Sequence, residues 1–222
     1  MNPPYNAQRN YCNKEYVKLW KKDKKGKERK EDPSKGFHFV YHIASVVKTG
    51  KLAVLLPMQC AIGTDKEIEK YKELMLQEHH LDAVFSLPPD IFHPGASANV
   101  CCMVFNLGVR HNSVKEGTFF GYYKDDGFRK KKNLGRIEKI DPETGEGAWE
   151  EIEELWLDTY KKRVTVMGLS AIQKVSYNDE WLCEAYMDTD YSTLTPEDFE
   201  RSVRNFAAYC ISSKSESYDD EK

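Results

Sequence analysis

Several kinds of segment are missing from this sequence of 222 residues, and each absence excludes a class of protein. No apolar run is long enough to cross a bilayer, and the amino-terminal residues lack the apolar core of a secretory signal. The six cysteines include no CxxC pair, which favours buried thiols in a reducing cytoplasm over disulfides or zinc ligands. The net charge of −3 excludes binding to nucleic acid through overall charge, so any such contact needs local basic patches or a partner.

Two further absences concern cofactors and metals. The glycine pair that comes closest to a nucleotide-binding turn, in Gly145-Glu146-Gly147, follows a polar loop and not a strand, so it predicts a plain turn. Without a glycine-rich turn after a strand, the sequence argues against a dehydrogenase. His38 and His42 have the spacing of a helical metal pair, but the run HFVYH lacks the glutamate and the third ligand of the zinc-protease motif. We therefore expect no metal site.

The most informative residues present are Asn2-Pro3-Pro4-Tyr5, directly after Met1. The Asn2 side-chain oxygen and the Pro3 carbonyl can accept hydrogen bonds from both N–H groups of a planar amino nitrogen, such as N6 of adenine. Such bonds localise the nitrogen lone pair for methyl transfer. Tyr5 offers a flat face for a base flipped out of a duplex. The same residues are equally typical of a turn or of a polyproline tail.

Two basic segments are candidates for contact with DNA phosphates. Residues 6–35 are polar and rich in lysine, with a short helix predicted from Glu15 to Trp20 and a mobile loop elsewhere. This segment is interpreted either as a solvated surface loop or as a phosphate-contacting loop, and a second basic run follows the turn at 125–127. The candidate phosphate contacts are Lys21, Lys22, Lys24, Lys25, Arg129, Lys130, Lys131 and Lys132.

Hydrophobic periodicity predicts an α/β fold for the first half of the chain. Apolar spacing predicts a helix from Phe37 to Val47, and residues 52–56 form an apolar run typical of a strand buried on both faces. Thr64 and Glu67 form a capping box for a second helix. Short strands follow at 82–87 and 100–107. Because their connection is too short for a crossover helix, these two strands should be antiparallel.

The composition of the sequence changes after Gly108. We expect a strand at 118–123, a turn at 125–127, an acidic amphipathic helix at 149–160, and a helix opened by Thr195-Pro196. The predicted organisation is a core at 1–108, a basic and acidic extension at 109–170, a helical segment at 171–211 and a disordered tail at 212–222. The last helix carries an apolar stripe of Phe199, Val203, Phe206, Ala207, Cys210 and Ile211.

Two long segments carry a resemblance to a known family. They are GFHFVYHIASVVKTGKLAVLLP and KELMLQEHHLDAVFSLPPDIFHPGASANVCCMVFNLG, which stand in this order behind the Asn-Pro-Pro-Tyr run. They resemble the second half of the catalytic domain of type I restriction-modification N6-adenine DNA methyltransferase subunits. The segments TFFGYYKDDGFRKKKNLGRIEK and DEWLCEAYMDTDYSTLTPEDFE resemble those that follow the core in relatives of this family, so the resemblance covers nearly the whole chain.

The resemblance implies a partial Rossmann-like sheet of an S-adenosylmethionine-dependent methyltransferase, with an antiparallel final strand and an α+β extension. It implies that Asn2, Pro3, Pro4 and Tyr5 form the catalytic turn. Phe92 corresponds to a second aromatic against the target base, although a core-facing anchor is the alternative. Phe37 lies near the position where relatives wall off the cofactor.

The resemblance also implies what a complete enzyme needs and this sequence lacks. The glycine-rich turn for S-adenosylmethionine and the acidic ribose ligand belong to the first half of the sheet. We therefore expect a fragment that needs an upstream methyltransferase segment, exposes an edge at the strand starting at Leu52, and binds the cofactor weakly or not at all. Expected partners are DNA and the specificity and restriction subunits, in the cytoplasm and not at a membrane.

Three functions remain open from the sequence. The first is the catalytic segment of an adenine-N6 DNA methyltransferase. The second is a protein-glutamine N-methyltransferase, which uses a similar turn. The third is a non-catalytic fragment that docks through residues 109–211 onto another subunit. The DNA site is not encoded in these residues, because in type I systems a separate subunit recognises it.

Overall fold

The computed structural model describes residues 1–23, 25–63, 65–96, 98–189, 191 and 194–219, with the side chains of the last helix described up to residue 211. The helices are α1 (Lys14–Lys18), α2 (Phe37–Val47), α3 (Met58–Ile62), α4 (Lys66–Glu78), α5 (Trp149–Lys162) and α6 (Pro196–Asp219). The strands are β1 (Gly50–Pro57), β2 (His80–Ser86), β3 (Val100–Leu107), β4 (Thr118–Tyr122), β5 (Phe128–Lys131), β6 (Gly135–Glu138) and β7 (Ser170–Gln173).

A five-stranded mixed sheet in the order β1-β3-β2-β4-β7 organises the chain. Strand β3 pairs antiparallel with both β1 and β2, whereas β2 and β4 are parallel and β7 is antiparallel to β4. The predicted antiparallel pairing of β2 and β3, and the α/β class, are confirmed. Since β1, β2 and β4 run in one direction, their carboxyl ends share one edge of the sheet, where open α/β sheets bind ligands.

The two faces of the sheet are covered unequally. One face packs against α2 and α4 in a core that includes Leu56, Met103 and Phe105, each fully buried. On the other face, Phe119 and Tyr123 pack against Trp156 and Tyr160 of α5. The prediction that β1 is buried on both faces is wrong. Only two of its side chains are buried, because β1 is an edge strand whose second face is only partly covered.

Several local predictions need correction. The capping residue of α4 is Asp65, whose side chain accepts the Glu67 N–H at 2.9 Å, and Thr64 lies outside the described residues. The sequence patterns missed α3, β7 and the hairpin of β5 and β6. Helix α6 begins at Pro196 as predicted, but it extends to Asp219 and takes in most of the segment expected to be disordered.

The chain divides into a unit from Met1 to Asp188 and a second unit from Thr189 to Lys222. Strands β4 and β7 belong to the same sheet as β1, so the boundary expected at residue 108 does not separate compact units. The second unit contains α6, on which Phe199, Val203 and Phe206 of the predicted stripe are 53, 67 and 68% exposed.

Three buried histidines lie near the amino end of β2. The N–H of Leu81 donates to His111 Nδ1 at 3.3 Å, so Nε2 of His111 carries a proton and donates to the Val175 carbonyl at 3.0 Å. His80 Nδ1 lies 3.1 Å from His111 Nδ1, and His79 Nδ1 accepts the Gly108 N–H at 3.0 Å. Burial lowers the pKa of all three side chains, so the folded chain favours their neutral forms.

Because the pKa values of these histidines are lowered by folding, we expect the free energy of unfolding to fall in mild acid. The unfolded chain takes up protons near the ordinary histidine pKa of about 6.5, whereas the folded chain takes them up only at lower pH, so stability is complete above about pH 6.5 and falls below it. The slope is about 1.4 kcal/mol per pH unit for each such histidine. Urea unfolding between pH 7.5 and 5 measures it. H111Q should reduce the slope, and H42Q, at an exposed position, should not. Equal slopes would contradict the prediction.

Candidate active site

The Asn-Pro-Pro-Tyr turn is attached to the sheet by a short parallel pairing. The Met1 amino nitrogen donates to the Ala53 carbonyl at 2.7 Å, and the Leu55 N–H donates to the Met1 carbonyl at 2.9 Å. This pattern is that of a parallel bridge between Met1 and Val54. Because the chain then runs in the direction of β1, Asn2 to Tyr5 lead along the last residues of β1 to the carboxyl edge of the sheet. Within the described residues, β1 pairs with β3 on one side and with Met1 on the other.

Gly36 packs against the two prolines of the turn. Its φ of +93° is in the left-handed region, and a Cβ atom there would lie 3.2 Å from both Pro3 Cγ and the Pro4 carbonyl oxygen. Backbone conformation and close approach therefore both require glycine. Pro3 is buried by this contact, whereas Asn2 and Pro4 are exposed.

A matched pair of glycines tests this support. Gly26 also has a positive φ, of +74°, but a Cβ added there meets no atom within 4 Å. G26A should lower the free energy of unfolding by about 1 kcal/mol through backbone strain alone, and G36A by at least twice as much. Denaturant unfolding of the two variants measures the difference. Equal losses would mean that the prolines do not rest on Gly36.

Asp32 anchors the backbone that carries Gly36. The carboxylate is fully buried and accepts the Gly36 and Ser34 N–H groups, each at 2.9 Å. It also accepts the hydroxyls of Ser34 at 2.9 Å and Tyr16 at 2.8 Å, and lies 3.0 Å from His38 Nδ1. Burial raises the pKa of Asp32, but the hydrogen bond and charge of His38 and the other donors outweigh it, so the pKa lies below its usual value.

The lysine-rich segment is a loop closed at its base. Gln8 and Glu31 form an antiparallel bridge, the Arg9 N–H donates to the Lys30 carbonyl at 2.8 Å, and the Asp32 N–H donates to the Ala7 carbonyl at 2.9 Å. We call these paired residues the neck. The neck joins the end of the Asn-Pro-Pro-Tyr turn to Asp32, so the loop leaves and returns at one place beside the turn.

Within the turn, Tyr5 folds back onto Asn2. The Tyr5 hydroxyl donates to Asn2 Oδ1 at 2.7 Å, and burial raises the pKa of Tyr5 to about 12. No described residue donates to the Pro3 carbonyl. The turn thus presents two acceptors, one of which is occupied by the Tyr5 hydroxyl in the free chain.

A cavity of about 560 Å³ opens beside Tyr5. This volume lies in the range of small-ligand sites. The described residues that line it come from the turn and the residue after it, from the segment before α2, from the β1–α3 region and from the loop before β3. They are Tyr5, Asn6, Lys35, Pro57, Met58, Gln59, Ile62, Ala98 and Asn99. The Met58 N–H donates to the Asn99 carbonyl at 3.1 Å, which ties two of these segments together.

The two predicted aromatic residues have different surroundings. Phe92 is half-buried in the loop between β2 and β3, the loop that also contributes Asn99, but it does not line the cavity. Phe37 is fully buried and packs against the rings of Tyr71 and Trp181. Phe37 therefore has no surface for a cofactor, and we assign it to the core.

The predicted basic residues lie on the lysine-rich loop and on the β5–β6 hairpin. Lys21, Lys22 and Lys25 are exposed on the loop, and Lys24 lies outside the described residues. Arg129, Lys130, Lys131 and Lys132 are exposed on the hairpin. Arg136 fixes the hairpin beside the Phe92 loop, since its guanidinium lies 2.7 Å from Asp126 and 3.2 Å from Asp90.

The sequence patterns did not indicate Asp32, Gly36, Lys35, Gln59 or Asn99. The run Asp-Pro-Ser-Lys-Gly at 32–36 is a turn signal, but nothing in it indicates that the turn supports Pro3. In the described part of the chain, no group of histidine, cysteine or carboxylate side chains could hold a metal ion, and no helix is long and apolar enough to cross a membrane.

The family model of N-6 DNA methylases matches residues 1–190. The chain belongs to the N-6 DNA methylase family. RM.BcgI, a type II restriction enzyme and methyltransferase from Heyndrickxia coagulans, is 26% identical to this methylase over 164 residues, which are 74% of this chain and 24% of that protein.

Solved structures of restriction-modification proteins share the methylase fold. A type I methyltransferase subunit from Streptococcus thermophilus matches 85% of this chain with a TM-score of 0.53 and 19% identity, over 37% of that subunit. A chain of another type I system matches all of this chain with a TM-score of 0.51 and 16% identity, over 45% of its length. The methylase chain described here therefore spans between 24% and 45% of these relatives.

Proposed function

We propose that this chain is the substrate-binding part of an adenine-N6 DNA methyltransferase of a restriction-modification system. One observation carries the proposal. The Asn-Pro-Pro-Tyr turn lies at the carboxyl edge of the sheet, with two carbonyl-type acceptors and an aromatic ring beside a cavity. Family membership over residues 1–190 supports the same chemistry.

The residues of the turn act on the amino group of a flipped adenine. Asn2 Oδ1 and the Pro3 carbonyl accept its two N–H groups, which localises the lone pair on N6. Tyr5 stacks on the base, and its hydroxyl leaves Asn2 when the amino group arrives. The buried Asp32 and Gly36 keep the acceptors in place, so little reorganisation accompanies the reaction. Phe92 as a second contact with the base stays a prediction.

We propose that this chain holds only part of the site for S-adenosylmethionine. The sequence has no glycine-rich turn after a strand, and Phe37 is fully buried. We therefore derive no step through the cofactor. We propose that a further methyltransferase segment holds it and adds a parallel strand at the edge of β1 that lies away from β3. The chain alone is then inactive.

DNA is the substrate that the charge distribution favours. The basic residues of the hairpin project beside the Phe92 loop, to which Arg136 and Asp90 connect them. A two-stranded ribbon with exposed cations fits a DNA groove or its phosphates. A protein-glutamine substrate needs no such surface, so we rank that function second.

A docking role accompanies catalysis in this proposal. Helix α6 exposes Phe199, Val203 and Phe206 at helical spacing, which is typical of a helix that packs against a partner. We propose the specificity subunit as that partner, with the restriction subunit in the same cytoplasmic assembly. A purely non-catalytic fragment would share α6 but would not need the catalytic turn.

The test is transfer of labelled methyl from S-adenosylmethionine, with this chain complemented by a cofactor-binding methyltransferase segment. Label should enter duplex DNA as N6-methyladenine, and the chain alone should transfer none. Label in the glutamine of a protein substrate would favour the second function. A complemented complex that binds S-adenosylmethionine and DNA but transfers no methyl would contradict the proposal.

A further inference from the structure

Lys35 is the one charged side chain among the described residues that line the cavity beside Tyr5. The other polar groups of the lining are the amides of Asn6, Gln59 and Asn99, which are neutral. The cavity thus combines an aromatic ring, neutral amides and a single cation. These groups match the three parts of a nucleotide that need recognition, namely the face of the base, its edges and its phosphate.

The backbone holds Lys35 rigidly at this position. Its φ is +53°, a conformation that residues other than glycine rarely adopt and that persists where the surroundings determine it. Both neighbours, Ser34 and Gly36, donate their N–H groups to the buried Asp32 at 2.9 Å. The Lys35 N–H itself donates to the Asp32 carbonyl at 3.3 Å. The base of the side chain is therefore fixed to the structure that supports the catalytic turn.

The ammonium group retains capacity for an anion. The side chain is 31% exposed, and Nζ donates to Asn6 Oδ1 at 2.8 Å and lies 4.0 Å from Glu31 Oε2. Lysine has three N–H donors, and the bond to Asn6 uses one of them. The carboxylate of Glu31 is at the limit of an ion pair and is itself exposed, so it screens the lysine only weakly.

We propose that Lys35 binds a DNA phosphate next to the adenine that stacks on Tyr5. This inference rests on the proposed function, because an extrahelical nucleotide brings its phosphates to the entrance of the cavity. A compact ammonium on a rigid turn suits a single phosphate oxygen. Lys35 is a binding and positioning residue, since it contacts the backbone of the nucleotide and not the reacting nitrogen.

Lys48 provides a matched control. It is a lysine with a φ of +64°, it is exposed, and it follows α2 just before β1, at the edge of the sheet opposite the cavity. The probe is a labelled duplex with an adenine opposite an abasic site, a lesion at which extrusion of the adenine costs little. Fluorescence anisotropy of the full chain, at several salt concentrations, gives the affinity and its salt dependence.

K35Q should bind this duplex several-fold more weakly than the wild-type chain, with a slope of log affinity against log salt that is smaller by about 0.9. K35R should restore the slope, and K48Q should leave it unchanged. Thermal unfolding of each variant confirms that the comparison is between folded proteins. Equal slopes for K35Q and K48Q, or no binding of the duplex by the wild-type chain at low salt, would overturn the proposal.

A second measurement separates this inference from the proposed function. In the complemented enzyme, K35Q should raise KM for DNA several-fold and change kcat less. If the wild-type complex transfers no methyl while K35Q still lowers the salt slope, the proposed function fails and the phosphate site stands. If methyl transfer proceeds with the same KM in K35Q, the phosphate site fails alone.

Discussion

Replacing Asn2 by alanine should lower kcat for methyl transfer in the complemented enzyme by about 10²–10³-fold, as does removal of one preorganised polar group that stabilises a transition state. The variant lacks one of the two acceptors for the amino group, and the Tyr5 hydroxyl loses its partner at 2.7 Å. DNA affinity should change little, because the proposed role of Asn2 is to hold the reacting nitrogen.

Two further variants make the Asn2 experiment specific. N2D retains a side-chain oxygen and should lose less activity than N2A. N112A removes the same amide from an exposed position in the short helix at His111–Ser113 and should have no effect. Initial rates of N6-methyladenine formation at saturating DNA measure kcat. An N2A enzyme with wild-type kcat would show that the turn does not hold the amino group.

Replacing Asp32 by alanine should lower the free energy of unfolding by about 3–5 kcal/mol, the usual cost of removing one partner of a buried charged network. The carboxylate accepts two N–H groups and two hydroxyls and faces His38 Nδ1, and these donors would lose their acceptor in a mostly buried environment. Gly36 would lose its anchor, so the complemented enzyme should also lose methyl transfer.

Asp23 is the matched control for Asp32. It also accepts backbone N–H groups, from Lys25 and Lys27, but within the more exposed lysine-rich loop, so D23A should cost about 1 kcal/mol or less. The pKa of Asp32 is lowered in the folded chain, so its contribution is present above about pH 4 and is lost as the pH falls towards that lowered value. Urea unfolding measures both effects, and similar losses for D32A and D23A would contradict the prediction.

Local sequence patterns predicted the elements of the first half well. Helix α2 spans the predicted residues Phe37 to Val47, and the antiparallel pairing of β2 and β3 followed from a connection too short for a crossover. Such features depend on periodicity and loop length. The hairpin of β5 and β6 was missed because its strands are short and mostly polar, and Arg136 attaches it to a loop distant in sequence.

The supports of the candidate site could not be predicted from the sequence. Asp32 and Gly36 have no periodic signal, and their importance comes from tertiary contact with Pro3 and Tyr16. Phe37 shows the opposite case. The family resemblance predicted that Phe37 lies near the cofactor. In the structure it is buried against Tyr71 and Trp181, and we assign it to the core. Lys35 was hidden among many lysines, and only its position at the cavity distinguishes it.

Because the neck closes the lysine-rich loop at its base, a change in the length of the loop need not move the Asn-Pro-Pro-Tyr turn. Because Gln8 and Glu31 are already paired, residues inserted between them need not move Tyr5 or Asp32. Each doubling of a flexible loop adds only about 0.6 kcal/mol to the cost of closing it. Gly26, with open space around it, is therefore a suitable point for grafting a short tag or a fluorophore that reports on the approach of DNA.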